Sequence, residues 1–525
     1  MDEFSLIREA GHYRITRRGL VRGGAGGLTL GALALAGCSG GTGESSATPG
    51  VATVDMALEP STLNGLTINN QYISWVNRHV QERLYDIDPN STELIPRLAE
   101  GQPTIIDELT AEVKIRTGVK FHNGDELTAD DVAATINAGN QQGRVWIYHL
   151  RPLDTVEAVD ATTIRFTFKN PWGLLPLKLA LIPIIHRDFL DRDDEMMGTG
   201  PYRLDSHQPG VQIKLAANAD YRDGAPSISE ITFRIVPEPG ARMVNLTQGS
   251  SSIYPAVSTV DASRIASDPN LVLAEAAAPV LITMRPNCAH PALQDERVRQ
   301  ALAFAINRRR MRDVVFGGRA EIGQGPIGPG HEGWEFTTKV YDEEPDLDRA
   351  RSLLADAGYA GREIAFTWVA QDDTVLRDVG AVLKADWAAI GLNAELQFLQ
   401  QGDWLSSTTK GGPWGFKIAY EMAGTGQGRS IDGSVGSLMA DSASNSTSFI
   451  DEESTAIAKQ AEVATDATER VKLYAQWSDM LATKAAYIPP VYPLFLIGHR
   501  KEVTGLDPAA YRFNAFDLSK ATIAA

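Results

Sequence analysis

Ser434 is the serine to weigh as the nucleophile of a secreted hydrolase. It lies in Asp432-Gly433-Ser434-Val435-Gly436, whereas the nucleophile elbow of a hydrolase requires G-x-S-x-G, so Asp432 stands where the first glycine is needed. The sequence contains no H-E-x-x-H, and its nine histidines show no metal-ligand spacing. We therefore predict no catalytic residue, no bound metal and no cofactor. A secreted hydrolase stays as the weaker alternative.

A glycine-rich segment, Gly323–Gly328 (GQGPIG), has the spacing of the dinucleotide-binding motif G-x-G-x-x-G. That motif binds phosphate only between a strand and the start of a helix. Pro326 and Pro329 disfavour a helix that begins here. The segment is therefore predicted to be a proline-rich loop and not a nucleotide site.

The N-terminal segment has the features of an export signal in the required order. Arg17-Arg18 lies in a stretch that looks like a twin-arginine signal, and the uncharged run Gly23–Gly37 is short for a membrane span. Leu35-Ala36-Gly37-Cys38 looks like a lipobox, in which the thiol of Cys38 takes up the diacylglyceryl chains. Two or more acyl chains give stable anchoring where one does not.

We accordingly predict a twin-arginine lipoprotein signal at residues 1–37 and a flexible tether at residues 38–50. The predicted location is extracytoplasmic. The protein would be lipid-anchored to the outer face of the bacterial cytoplasmic membrane, or periplasmic. It would contact the membrane through the lipid anchor only.

Length and charge restrict the possible partners. A chain of 525 residues exceeds the size of one hydrophobic core, so more than one lobe is expected. Residues 1–37 carry five arginines and three acidic residues, so the remainder has a formal net charge of −19 against −17 for the whole chain. This acidic character argues against nucleic acid as a partner. Two cysteines, Cys38 and Cys288, allow no disulfide framework.

The first half of the chain shows strand and helix patterns. Val113 and Ile115 alternate with polar residues as in a half-buried strand, and Thr128 can cap a helix in which Asp130 and Asp131 face the positive end. A second set of segments is predicted as a strand, an amphipathic helix and a hairpin: Val51–Ala57, Trp75–Tyr85, and Val156–Val159 with Ile164–Phe168.

The second half favours an α/β lobe. The segments Ile364–Val369, Asp378–Gly391 and Asn393–Phe398 read as strand, helix and strand, which predicts parallel pairing. Two further segments have one apolar face and are predicted to be helices: Asp295–Arg308 and Glu462–Ala482.

Two of these segments also carry a family resemblance. Gly118–Val132 (GVKFHNGDELTADDV) and Asp295–Arg308 (DERVRQALAFAINR) closely resemble signature segments of the family 5 extracellular solute-binding proteins. These are the peptide-, nickel- and opine-type receptors of bacterial ABC importers. Weaker matches, such as Glu59–Asn64 and Gly198–Leu204, extend the resemblance over nearly all of residues 51–515.

The resemblance implies an α/β, two-lobed fold like that of the periplasmic binding proteins of type II, with an additional subdomain in the first lobe. It predicts lobe I with this inserted subdomain at residues 51–285, lobe II at 286–492, and a return to lobe I at 493–525. The crossing is expected near Val280–Met284 and Asn287.

The resemblance also places residues in the cleft between the lobes. From the first lobe these are Asn69, Asn70, Gln71 and Tyr72, which offer neutral hydrogen-bonding groups and one amphipathic ring. The alternative for these four is a solvated polar loop. From the second lobe the resemblance gives Trp404, Tyr420, Glu421, Met422, Arg429 and Asp432.

The second-lobe segment departs from the peptide receptors of the family. Those receptors carry a Trp-x-x-Asp whose carboxylate pairs with the amino terminus of the ligand, but glycines fill that place in Tyr420–Asp432. Glu421 or Asp432 could substitute for the missing carboxylate. Arg429 suits a ligand carboxylate or phosphate, or is a solvated loop charge.

The resemblance thus implies a monomeric receptor with two partners, a small-molecule solute and the ABC permease subunits. The receptor would bind a peptide or peptide-like solute by hinge closure and deliver it to the permease. The alternative is a receptor for an opine, a metal chelate, haem or a sugar.

Overall fold

The computed structural model describes residues 50–524 apart from 69, 89–92, 148, 278–279, 330, 332, 361–364, 401–402, 405, 407–415, 423–437, 441–444 and 507–516. The strands are β1 (Val51–Met56), β2 (Tyr85–Ile87), β3 (Leu94–Pro96), β4 (Thr104–Asp107), β5 (Thr110–Lys114), β6 (Leu153–Ala158), β7 (Thr163–Phe168), β8 (Tyr202–Gln208), β9 (Gln212–Ala217), β10 (Glu230–Ile235), β11 (Ile253–Pro255), β12 (Leu271–Ala277), β13 (Val280–Pro286), β14 (Ala320–Ile322), β15 (Ala365–Gln371), β16 (Asn393–Leu399), β17 (Phe416–Met422), β18 (Val491–Arg500), β19 (Val503–Thr504) and β20 (Thr522–Ile523). The helices are α1 (Gln71–Val80), α2 (Ala129–Gly139), α3 (Leu175–Leu179), α4 (Pro239–Gln248), α5 (Thr259–Ser267), α6 (Glu296–Phe304), α7 (Arg308–Arg310), α8 (Leu347–Asp356), α9 (Thr374–Ala388), α10 (Glu452–Val463) and α11 (Ala467–Thr483).

The largest sheet organises the first lobe. Its strand order is β12-β18-β11-β1-β10-β9-β8, with β14 also paired to β18. β1 runs parallel to both of its neighbours, β10 and β11. Ala52, Val54 and Met56 of β1 are fully buried and belong to one core with Ile213 of β9 and Phe233 of β10. This apolar strand confirms the predicted first strand.

A four-stranded sheet, β4-β5-β7-β6, forms the inserted subdomain together with α2. The predicted hairpin is confirmed, because β6 and β7 pair antiparallel. At the start of α2 the backbone N–H of Thr128 donates to Asp131 Oδ2 (3.0 Å), and the Thr128 hydroxyl donates to the same oxygen (2.7 Å). Arg187 holds the other oxygen of Asp131 (Nε–Oδ1, 2.8 Å). The signature stretch therefore has a structural role, as a capped helix.

The second lobe contains the sheet β13-β17-β15-β16. β15 and β16 pair in parallel and α9 connects them, as the predicted strand–helix–strand order requires. Trp368 of β15 and Trp387 of α9 are both fully buried, with ring centroids 3.8 Å apart. The two tryptophans fix the helix against the sheet.

Within the described residues, two connections join the lobes. β12 ends at Ala277 in the large sheet, and β13 begins at Val280 in the second sheet. β18 returns, since Val491–Pro493 pairs with β14 and Leu494–Arg500 pairs with β12. The predicted boundary at residues 285–286 thus falls at the end of β13, whereas the chain leaves the large sheet before Val280.

Several predicted helices have different limits in the structure, among them α1 and α11. The helix predicted at Trp75–Tyr85 is α1, which begins at Gln71, while Tyr85 belongs to β2. The helix predicted at Glu462–Ala482 is α11, which begins at Ala467 after the cap Asp466, whose side chain accepts from the N–H of Glu469 (2.7 Å). Glu462 and Val463 end α10. In both places a side-chain cap decides where the helix begins, and the apolar pattern does not show it.

The C-terminal segment is attached to the first lobe through His79. This histidine is fully buried, its Nδ1 lies 2.8 Å from the carbonyl oxygen of Trp75, and its Nε2 accepts from the N–H of Leu518 (2.9 Å). Both contacts require the neutral ring with its proton on Nδ1. Burial lowers the pKa of His79, with a smaller contribution from Arg78, and outweighs the opposing effect of the Asp517 carboxylate.

We expect acid to weaken this attachment. A lowered pKa in the folded state means that the unfolded chain binds the proton more tightly, so this stability is present above about pH 6.5 and is lost as the pH falls towards the pKa of the folded state. His79→Gln keeps a donor and an acceptor but does not titrate. The free energy of unfolding should therefore fall less for His79→Gln than for wild type between pH 7 and pH 5. An identical pH slope would contradict the assignment, and His207→Gln, at a half-buried surface histidine, is the control.

Candidate functional site

The carboxyl ends of the parallel strands in the large sheet lie at one edge. β1 is parallel to β10 and β11, and β11 and β12 are both antiparallel to β18. The chain crosses to the other lobe from the end of β12, at Ala277. The edge formed by Met56, Ile235, Pro255 and Ala277 therefore faces the connection between the lobes.

The second sheet also has the carboxyl ends of its parallel strands at the connection between the lobes. β15 pairs in parallel with both β16 and β17, so the three carboxyl ends lie together. Met422, at the end of β17, pairs with Val280, at the start of β13. The carboxyl edges of both sheets thus meet the strands that cross between the lobes, and ligands of open α/β sheets bind outside such edges.

Buried polar contacts stiffen the first of these edges. Asp55, next to the last residue of β1, is fully buried and accepts hydrogen bonds from Arg234 Nε and Asn245 Nδ2, both at 2.8 Å. Burial raises the pKa of Asp55 although Asn245 and Arg234 oppose it. The carboxyl end of β1 is thereby linked to β10 and α4.

Asp372, which the sequence analysis did not single out, lies at the second edge. Its N–H donates to the carbonyl oxygen of Leu399 (2.8 Å) and so joins the ends of β15 and β16. Its carboxylate accepts from Arg377 Nε (2.8 Å) and from Gln400 Nε2 (3.2 Å). A polar residue directly after a buried strand was the available sequence signal for this position.

The glycine-rich loop at residues 323–328 does not offer its amides to a ligand. The N–H groups of Gln324 and Gly325 both donate to the hydroxyl of Tyr492, at 2.8 and 3.0 Å. A Cβ on Gly323 would lie 1.9 Å from the carbonyl oxygen of Pro489. The glycines therefore permit close backbone packing, which agrees with the prediction that this is not a nucleotide site.

Comparison with known proteins identifies the family. The model of the bacterial extracellular solute-binding proteins, family 5 (middle region), matches residues 93–428. The chain belongs to this family. Its members are solute-binding proteins that act outside the cytoplasm, and the predicted family membership is confirmed.

Individual relatives are similar over most of their length. Di/tripeptide-binding protein 4 of Pseudomonas aeruginosa is 29% identical over 466 residues, which cover 81% of this chain and 86% of the relative. Heme-binding protein A of Haemophilus influenzae is 25% identical over 481 residues, covering 84% and 86%. The solved structure of HbpA2 from Haemophilus parasuis superposes with a TM-score of 0.79 at 23% identity, over 90% of this chain and 100% of that one. The predicted two-lobed α/β fold is confirmed.

In this solute-binding protein, the predicted solute contacts of the first lobe come after the carboxyl end of β1 in the chain. The Oδ1 of Asn70 accepts from the N–H groups of Tyr72 (3.0 Å) and Ile73 (3.1 Å), so this oxygen caps α1. Tyr72 is half-buried, and its ring meets Trp75 edge to face, with centroids 5.4 Å apart. Gln71 begins the helix beside them, and Asn69 lies outside the described residues. Solute contact by these four stays a prediction.

The predicted second-lobe residues come from the facing edge. Trp404 follows β16 and is buried against Val369 and Leu399, with its Nε1 3.4 Å from the carbonyl oxygen of Val369. Tyr420, Glu421 and Met422 end β17. Arg429 and Asp432 lie outside the described residues, as do Arg17, Arg18 and Cys38. Trp404 and Tyr420–Met422 therefore share one sheet edge, and their contact with solute stays a prediction.

The described residues were also compared with what a metal site, a reactive thiol and a membrane-spanning helix require. Among the described residues, no three His, Cys, Asp or Glu side chains cluster as ligands of a metal ion. Cys288 is a partly buried free thiol, and burial raises its pKa. None of the described helices has the length and apolar character needed to span a bilayer.

Proposed function

We propose that this protein is the receptor of an ABC importer. It captures a small solute, a peptide or peptide-like molecule, between the two facing sheet edges and closes its lobes around it. The closed form then delivers the solute to the permease. The observation that carries the proposal is that the carboxyl ends of the parallel strands in both sheets lie at the crossing between the lobes. No catalytic step is needed for this function.

A peptide-like solute is favoured by the relatives. One similar protein is named a di/tripeptide-binding protein, and another is named a heme-binding protein. The absence of the expected carboxylate in Tyr420–Asp432 leaves a non-peptide solute as the second candidate. An opine, a metal chelate, haem or a sugar would then occupy the same cleft.

Thermal-shift screening tests the proposal. The purified mature protein is heated with dipeptides, tripeptides, opines, nickel chelates, haem or sugars. A solute that binds only the folded state stabilises it by about 2.7 kcal/mol at a concentration of 100 times Kd. One chemical class should raise Tm in a saturable manner without being converted. Conversion of the solute that a Ser434→Ala variant abolishes would instead show a hydrolase.

We further propose that Cys38 carries the lipid anchor and that Arg17 and Arg18 direct export. Cys38→Ser should move the protein from the membrane fraction to the soluble extracytoplasmic fraction without changing its Tm. Cys288→Ser, at the partly buried free thiol, should leave the protein in the membrane fraction. Retention of Cys38→Ser in the membrane would contradict the anchor.

A further inference from the structure

A groove of about 510 Å³ separates the inserted subdomain from the start of α11. Leu94, Gly173 and Leu177 form one wall, and Thr465, Ala467 and Arg470 form the other. The walls therefore belong to different lobes. None of these residues is among the predicted solute contacts, so the groove lies beyond the proposed function.

Arg470 is the unusual side chain of this groove. It is only 5% exposed, and its Nε is buried without a hydrogen-bond partner. Its Nη1 donates to the carbonyl oxygen of Ala464 (3.3 Å), and within the described part of the chain the guanidinium forms no ion pair. A guanidinium has five N–H donors, and a buried charge is costly unless it is paired. The buried Nε is closed to the groove, but an external anion there would pair with the charge of the guanidinium.

The start of α11 adds a second attraction for an anion. The Asp466 side chain caps the N–H of Glu469, and a helix leaves its first N–H groups without intrahelical partners. Ala467, the first residue of this 17-residue helix, lies on the groove wall beside Arg470. The positive end of the helix dipole and the guanidinium thus act on the same space.

Nearby carboxylates restrict the charge of the anion. Glu93 lies on the opposite wall, and Asp466 and Glu469 belong to the cap and first turn of α11. These groups repel a phosphate dianion more than a carboxylate. We propose that the groove binds the carboxylate group of a small molecule, with Arg470 as its ion-pair partner. Because the walls come from both lobes, the bound carboxylate stabilises the closed form.

Sodium acetate is the probe, with sodium chloride at equal ionic strength as the reference. Acetate should raise the Tm of the mature wild-type protein in a saturable manner beyond the effect of chloride. Arg470→Gln should weaken the apparent affinity for acetate about ten-fold, since a hydrogen-bonded charge is lost, and Arg470→Lys should retain part of it. Arg309→Gln, at an exposed arginine paired with Glu343 outside the groove, should bind acetate like wild type.

Further experiments distinguish the possible sources of the carboxylate and the possible ion-pair partners of Arg470. If the carboxylate belongs to a solute held in the cleft, saturation with that solute abolishes the acetate effect. If it belongs to a separate anion, the effect persists. An equal effect of chloride on wild type, or of acetate on Arg470→Gln, would overturn the proposal. If acetate raises the Tm of Glu93→Gln but not that of wild type, Arg470 pairs with Glu93 in the wild-type protein, which would also overturn the proposal. If Arg470→Gln does not fold, the chloride comparison and Arg470→Lys still decide.

Discussion

Replacing Gly173 by valine should weaken solute binding about ten-fold or more. The valine side chain would hold the two lobes apart and so lower the population of the closed form that binds solute. A Cβ at Gly173 would lie 2.0 Å from the carbonyl oxygen of Ala464 and 2.7 Å from its carbon. Trp172 and Leu174 on either side of Gly173 are buried in the core of the inserted subdomain, while Ala464 lies between α10 and α11 of the second lobe. The two lobes can approach this closely only where one side has no side chain.

The expected loss concerns closure and not folding. Gly173 has no backbone angle that demands glycine, so valine costs little within its own lobe. Apparent affinity falls in proportion to the population of the closed form. The Tm of the solute-free protein should therefore change little, while calorimetric titration shows the weaker Kd.

Gly101→Val provides the matched control for Gly173→Val. Gly101 lies in the same part of the first lobe, and a Cβ there meets no atom within 4 Å. Its variant should bind the solute like wild type. Equal affinities of Gly173→Val and Gly101→Val would show that the contact with Ala464 does not limit closure. A large fall in the Tm of solute-free Gly173→Val would indicate a folding defect instead.

Local chemistry explains which parts of the fold could be predicted. The helix start at Thr128 is encoded within four residues, and the structure places Asp131 on the Thr128 hydroxyl and N–H as that pattern requires. The parallel pairing of β15 and β16 follows from one helix between two apolar segments. Such features depend on near neighbours in the chain.

The first residue of α1 and the first residue of α11 are each set by one capping side chain. The Oδ1 of Asn70, a predicted solute contact, caps α1 and sets the helix start at Gln71. Asp466 likewise sets the start of α11 at Ala467. An asparagine or aspartate in a polar loop looks the same in the sequence whether it caps a helix, binds a solute or contacts water.

The groove at Arg470 had no sequence signal because tertiary structure assembles it. Its walls combine Leu94, Gly173 and Arg470, which are separated by many elements of the chain. Arg470 looks like an ordinary helical arginine in the sequence, and only its burial distinguishes it. The cleft was predictable only through the family resemblance, since the facing of two sheet edges is also a tertiary property.

Tyr492→Phe should lower the free energy of unfolding by about 2–5 kcal/mol. The hydroxyl accepts from the N–H groups of Gln324 and Gly325, and it lies 2.8 Å from the carbonyl oxygen of Gly325 and 3.0 Å from that of Ile327. Phenylalanine would leave two buried amides without an acceptor, and each such group costs about 1–3 kcal/mol.

The position of Tyr492 increases the expected loss of stability, because β18 is one of the two connections between the lobes that the described residues show. The residue lies in the part of β18 that pairs with β14, directly before the part that pairs with β12. Urea unfolding measures the loss, and Tyr359→Phe, at a half-buried tyrosine of the second lobe, should stay within about 0.5 kcal/mol of wild type. Equal stabilities of the two variants would show that the hydroxyl does not hold the loop. A selective loss in Tyr492→Phe would show that the hydroxyl holds the glycine-rich segment against β18, which is a structural reason for its spacing and not a chemical one.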